Sequence, residues 1–259
     1  MTTRDKVSLL VVGLGAGFLS GVFGVGGGIL VVPGLMMFVK MEQRRAHGTS
    51  LAAVLPISAA SLVTYWLHDH VDWPVALWLT VGALAGAYVG ASLLAIISKR
   101  NLALVFAIVL GIIGVRLFFT VSGSGRDDIT VGLALAYVVV GVCTGALSGL
   151  LGVGGGAIMV PIMAVVFGVP SVIAKGTSLA VIIPTALMGT LRNRSNQNVD
   201  LGAAVVVGIT GIVMAVVGAW VAARMSDSLS NALFALLLIA VAGRMLRQAR
   251  NEGAKATGA

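Results

Sequence analysis

Gly24-Val25-Gly26-Gly27-Gly28 interrupts an apolar run that reaches from about residue 7 to residue 39, and the same five residues return at Gly152-Val153-Gly154-Gly155-Gly156, inside the run from 130 to 168. Glycine has no Cβ and loses the most freedom on ordering, so four glycines in five positions make a poor helix interior. The setting makes this informative. In a bilayer every backbone N–H and C=O must find a partner within the protein, and a helix is the usual solution. A helix break at membrane depth is tolerated where it is buried in protein or lines a water-filled cavity. The two breaks are therefore candidates for an aqueous path.

The premise that this chain meets lipid rests on composition. Of its 259 residues 58% are hydrophobic and 10% charged, and the mean hydropathy is +1.06. A water-soluble domain has about a quarter of its residues charged, so this chain cannot cover a surface in water. The net charge of +8 does not point to nucleic acid, because Lys and Arg gather at the ends of apolar runs. Basic residues there act as topology signals and snorkel to the interface, with the lipid bilayer as their partner. Cys143 is the single cysteine, which excludes an internal disulfide. Arg4 and Lys6 precede the first apolar run as in a signal peptide, but that run resembles the one after residue 129 and is read as mature structure.

The chain repeats itself. A shift of 128 (145 − 17) lays Gly17-x-x-Ser20-Gly21-x-x-Gly24 over Gly145-x-x-Ser148-Gly149-x-x-Gly152 and carries on without a gap. It superposes Pro33 on Pro161, Gly48-Thr49-Ser50-Leu51-Ala52 on Gly176-Thr177-Ser178-Leu179-Ala180, Pro56 on Pro184, Asp72 on Asp200 and Arg116 on Arg244. One register held this long indicates two copies of one unit. The first repeat is assigned to 1–121 and the second, with a short basic tail, to 129–259. The linker is placed at 122–128, where Gly, Ser and charges collect.

A crossing needs about 20 apolar residues. Runs near 46–67, 74–97 and 102–121 meet this in the first half, and runs near 174–191, 201–223 and 229–247 in the second. The glycine-broken stretches are long for one helix and short for two. They either cross once or enter and leave on one side as a hairpin of two half-helices. With hairpins, 13 of the 17 basic residues fall on one side of the membrane and 4 on the other; with single crossings the split is 10 to 7. Lys and Arg favour the cytoplasmic side, so the hairpin is preferred and both termini are placed in the cytoplasm. The expected fold is an all-α polytopic membrane protein of two homologous halves in inverted orientation. Each half carries a re-entrant helical hairpin and about three transmembrane helices, an arrangement many secondary transporters use to alternate access.

A hairpin tip in mid-membrane would expose amides that no side chain covers. The half-helices beginning near Ile29 and Ala157 would aim their positive ends at it, and such ends bind anions. Gly26, Gly27 and Gly28, with Gly154, Gly155 and Gly156, are therefore candidate substrate-binding residues. For Gly17-x-x-x-Gly21 and Gly82-x-x-x-Gly86-x-x-x-Gly90, close helix packing is the preferred reading. The hydroxyls of Thr49, Ser50, Thr177 and Ser178 could donate to an oxyanion or simply cap helices. A basic residue precedes each pair, His47 or Lys175, and would attract an anion or lie at the interface. Pro33 and Pro161 are accessory candidates that kink or hinge their helices.

Asp72 and Asp200 stand at matching segment starts and read as N-terminal caps. All nine carboxylates lie near ends, loops or tails, so a mid-membrane carboxylate relay is missing. His68-Asp69-His70 is read as a wet loop, and no metal site is expected. Gly24-x-Gly26 lacks the Gly-Lys-Ser/Thr ending of a phosphate loop. No nucleophile–base pair is visible, and neither an enzyme nor a cofactor is expected.

The doubled pattern Gly-Val-Gly-Gly-Gly-x-x-x-x-Pro followed by Gly-Thr-Ser-Leu closely resembles the TauE/SafE sulfite exporter family of membrane permeases, over residues 9 to 246. The family motif falls on 24–28, Pro33 and 48–51, and again on 152–156, Pro161 and 176–179. The resemblance implies passage of a small sulfur-containing anion, of the sulfite, sulfonate or sulfoacetate type, across the bacterial inner membrane. His47 against Lys175 departs from strict symmetry. The expected partners are that anion and lipid, and self-association is compatible with the sequence. The alternative is a membrane scaffold that transports nothing.

Overall fold

The computed structural model describes residues 3–93, 99–119, 130–151, 154–195 and 197–256. The linker assigned to 122–128 lies outside them, as do Gly152 and Val153. The first repeat forms α1 (Thr3–Phe23), α2 (Gly28–Phe38), α3 (Gln43–Trp66), α4 (Trp73–Leu93) and α5 (Lys99–Phe118). The second forms α6 (Val131–Leu151), α7 (Gly156–Val166), α8 (Ser171–Ser195), α9 (Leu201–Ala222) and α10 (Asp227–Ala256). Six of these, α1, α3, α6, α8, α9 and α10, contain stretches long and apolar enough to span a membrane. Helices α4 and α5 run 21 and 20 residues, lengths that also match a bilayer core.

The internal repeat is written into the backbone. Equivalent helices have nearly equal lengths, 21 residues in both α1 and α6 and 11 in both α2 and α7. Left-handed residues recur in register, Lys40 with Gly168 and Asp69 with Gln197. Chain direction follows from which residues touch. Gly13, Gly17 and Gly21 of α1 press onto Val207, Gly211 and Ala215 of α9, so these two helices run the same way. Gly208 meets Pro56 and Gly211 meets Ile57, so α3 runs with them. Because α1 and α3 are parallel, α2 must carry the chain back between them. It does so antiparallel to α1, with Gly27 against Ala16 and Gly34 against Val12. Helices α3 and α8 cross antiparallel, Leu51 touching Gly189 and Tyr65 touching Gly176. These contacts are consistent with inverted repeats.

One detail of the hairpin differs from expectation. Its first arm is not a half-helix, because α1 at 21 residues rises about 31 Å. Only α2, with 11 residues and about 16 Å, is a half-helix. The reason is packing. Gly13, Gly17 and Gly21 let α1 lie backbone to backbone on α9 through and past its middle, so nothing stops α1 at mid-depth. Gly82 and Gly86 of α4 lie in the same way on Val138 and Val142 of α6, as close packing requires.

Away from these seams the helices present apolar side chains outward. Val205, Ile209, Val213 and Val216 line α9, and Val7, Leu10, Val11 and Leu14 line α1. Trp66 and Trp73 meet edge to face at 5.8 Å at the α3–α4 turn, and Arg224 lies 3.5 Å over Trp220 near the end of α9. Aromatic and basic groups of this kind mark a membrane–water interface.

Candidate functional site

Helices α2 and α7 begin at the glycine clusters. Their N-caps, Gly27 and Gly155, have φ of 76° and 74°, and among the described residues no side chain caps either helix. That left-handed geometry crowds a Cβ against the carbonyl, which is why glycine stands there. The first ladder bonds run to Gly27 O from the amides of Leu30 and Val31, and to Gly155 O from those of Ile158 and Met159. The amides of Gly28, Ile29, Gly156 and Ala157 therefore stand ahead of the ladder, at the positive end of each helix dipole.

Both ends lie at half depth. Gly27 rests on Ala16, beside the Gly17–Gly211 contact at the middle of α9. Gly155 rests on Thr144, beside the Gly145–Ala83 contact at the middle of α4. The two breaks also touch each other. A Cβ on Gly156 would stand 2.8 Å from Gly24 O and 2.9 Å from Val25 Cα. Ile182 of α8 sits between them, 3.1 Å from such a Cβ on Gly26 and 2.7 Å from one on Gly156. Val54, the repeat mate of Ile182, and Ser58 close on Gly26 from α3, each at 3.1 Å. Of the predicted residues, Gly26, Gly27, Gly28, Gly154, Gly155 and Gly156 thus belong to one buried contact region.

The Gly-Thr-Ser motifs lie elsewhere and form a reciprocal pair of clasps. Thr177 Oγ1 accepts from the Asp72 amide at 2.9 Å, and Thr49 Oγ1 accepts from the Asp200 amide at 2.9 Å. Gly176 and Gly48 seat the neighbouring carbonyls of His70 and Asn198. Each clasp joins a helix of one repeat to a loop of the other. Thr49 and Thr177 are each the seventh residue of their helix, and α3 and α8 are antiparallel, so the clasps sit at opposite rims. Asp72 and Asp200 cap α4 and α9 through the amides of Val75 and Ala203, as their positions predict. An Arg45–Asp200 ion pair at 2.9 Å reinforces one clasp; Ile173 occupies the matching position at the other.

Ser178 Oγ donates to Gly24 O at 2.6 Å, tying the second motif to the first glycine break. Ser50 is fully buried and His47 half-buried. Lys175 lies near the start of α8 but is enclosed by protein rather than exposed. It is 1% exposed, its Cα abuts Gly24, and its Nζ donates to Ser230 Oγ of α10. Pro33 and Pro161 lie inside α2 and α7. In the α3–α4 loop the rings of His68 and His70 stack at 6.1 Å. Burial pushes His70 below its ordinary pKa, His68 adds to the effect and Asp69 opposes it.

Sequence reasoning passed over the buried hydroxyls of α3. Ser58 and Ser61 are fully buried, Ser61 lies 3.4 Å from Ser20 of α1, and Tyr65 donates to Gly21 O at 2.8 Å. The available signal was their spacing, three or four residues apart on one face of an apolar helix.

The sequence profile described as "Sulfite exporter TauE/SafE" matches residues 2–119 and 137–259. A protein of Xylella fastidiosa named "Probable membrane transporter protein" is 30% identical over 93% of this chain and 95% of its own length. A probable membrane transporter of Bacillus subtilis is 28% identical over 75% of this chain and 80% of its own. One of Methanocaldococcus jannaschii is 30% identical over 60% of each. With glycine breaks that touch inside a helical bundle and a match over almost its full length, this chain is a multi-pass membrane protein of the TauE/SafE sulfite exporter family.

Proposed function

We propose that this chain is a permease for a small sulfur-containing oxyanion, of the sulfite, sulfonate or sulfoacetate type, and that it works by alternating access as a secondary transporter in the bacterial inner membrane. The observation that carries the proposal is that the two glycine breaks touch in the interior, each leading into an uncapped helix N-terminus, one in each repeat. Such termini offer amide donors and partial positive charge to a solute whose charge is otherwise expensive in a bilayer. Family membership supports the transport class.

The two clasps support the mechanism. Each closes one rim by joining the two repeats, so opening at one face requires release of one clasp while the other stays shut. Ile182 and Val54 close on the glycine breaks, which fits an occluded conformation. Basic residues crowd the rim shared by both termini, which supports the reading that this rim faces the cytoplasm. A scaffold with no transport role is less well supported, because it has no use for uncapped amides in its interior.

The test is counterflow. Purified protein in liposomes preloaded with unlabelled sulfite is expected to accumulate [35S]sulfite above empty liposomes, with methanesulfonate and sulfoacetate as competitors. Folded protein that moves none of these anions in either direction defeats the proposal.

A further inference from the structure

Ser58 of α3 is fully buried, and among the described residues its Oγ finds no hydrogen-bond partner. It lies 3.1 Å from where a Cβ would stand on Gly26, one residue ahead of the α2 N-cap. An unpaired hydroxyl in a bilayer interior is costly, and most buried polar groups are paired. The other side chains of this face are satisfied, Ser61 by Ser20 and Tyr65 by Gly21 O.

The second repeat shows that the fold does not need this hydroxyl. The residue equivalent to Ser58 is Ala186, equally buried on α8, in a repeat whose α7 begins with the same left-handed glycine cap. Packing is met by a methyl there. The oxygen of Ser58 therefore adds chemistry rather than volume, and it adds it at one tip only.

We propose that Ser58 Oγ donates a hydrogen bond to an oxygen of the transported anion, whose charge faces the Gly28 and Ile29 amides at the start of α2. The solute is then held by the tip of the first repeat, not shared evenly between the repeats. The ligand class is a small oxyanion with a free anionic oxygen, narrow enough to enter between Val54 and Ile182. This inference rests on the reading of the glycine breaks as the solute path.

The test is equilibrium binding of [35S]sulfite to the intact protein in lipid nanodiscs, with thermal midpoints measured in parallel. Ser58→Ala is expected to raise Kd about ten- to a hundredfold, the range for a hydrogen bond to a charged group, with the midpoint little changed. Ser58→Cys, a weaker donor of similar size, is expected to fall between, and it carries the test should the alanine variant fold poorly. Ser61→Ala is expected to bind like the parent. Parental affinity in Ser58→Ala and Ser58→Cys overturns the assignment, as does an equal loss in Ser58→Ala and Ser61→Ala. A parent protein that binds no sulfite, sulfonate or sulfoacetate instead overturns the solute-path reading itself.

Discussion

Replacing Thr49 or Thr177 by valine keeps the shape of the side chain and removes one oxygen, which is the acceptor of a clasp. Thr177→Val strands the amide of Asp72, a residue only 4% exposed. Stranding a buried donor costs about 1–3 kcal/mol, and this site belongs at the upper end. Thr49→Val strands the amide of Asp200, whose side chain is 27% exposed, so water can replace the lost partner and the cost is about 1 kcal/mol. The closed state of each rim should lose that energy. At about 1.4 kcal/mol per factor of ten, the shift toward opening is roughly fivefold for Thr49→Val and on the order of 30- to 150-fold for Thr177→Val. The reporter is Ile182→Cys, made in a Cys143→Ser background because Cys143 is exposed. A membrane-impermeant maleimide is applied to right-side-out and to inside-out vesicles. Thr177→Val should speed labelling from the rim where α8 begins, and Thr49→Val should speed it less and from the opposite rim. Equal acceleration from both faces, or none with either variant, would show that the clasps do not gate the centre.

Two further outcomes follow from local geometry. Gly24→Ala places a Cβ 2.6 Å from Lys175 Cα on a residue with φ of 67°, so the fold should lose about 2 kcal/mol or more and its thermal midpoint should fall. Gly243→Ala meets nothing within 4 Å in a helix and should leave the midpoint unchanged or slightly higher; equal losses in both would refute the steric account. His70 is held below its ordinary pKa of about 6.5, so the folded state binds protons less readily than the unfolded one. Stability should be complete above that value and decline as pH falls through it, and His70→Gln should flatten the decline in thermal midpoint between about pH 7.5 and 5.5. An unchanged slope in the variant would remove His70 as its source.

Much of the architecture could be read from residue order. Apolar runs near 46–67 and 201–223 anticipate α3 and α9 to within about three residues, because a bilayer demands a fixed length of apolar helix. The shift of 128 anticipates two halves of like backbone, and the left-handed residues Asp69 and Gln197 fall in that register although the local sequences differ. The cap roles of Asp72 and Asp200 were legible too, since an N-cap acts within three residues of itself.

The partners of Thr49 and Thr177 were not legible. They lie 151 and 105 residues away, and nothing local to a Gly-Thr-Ser motif reveals which loop of the opposite repeat will approach it. The same holds for Lys175, whose ammonium turns inward to Ser230, and for α1, which runs its full length because α9 offers a glycine seam. Sequence by itself determined a membrane protein of two like halves, each with a broken helix, because hydropathy, glycine and repetition act along the chain. Tertiary structure alone decided that the breaks meet, that the threonines clasp opposite rims and that Ser58 stands unpaired at one tip, because those facts depend on the packing of helices distant in sequence.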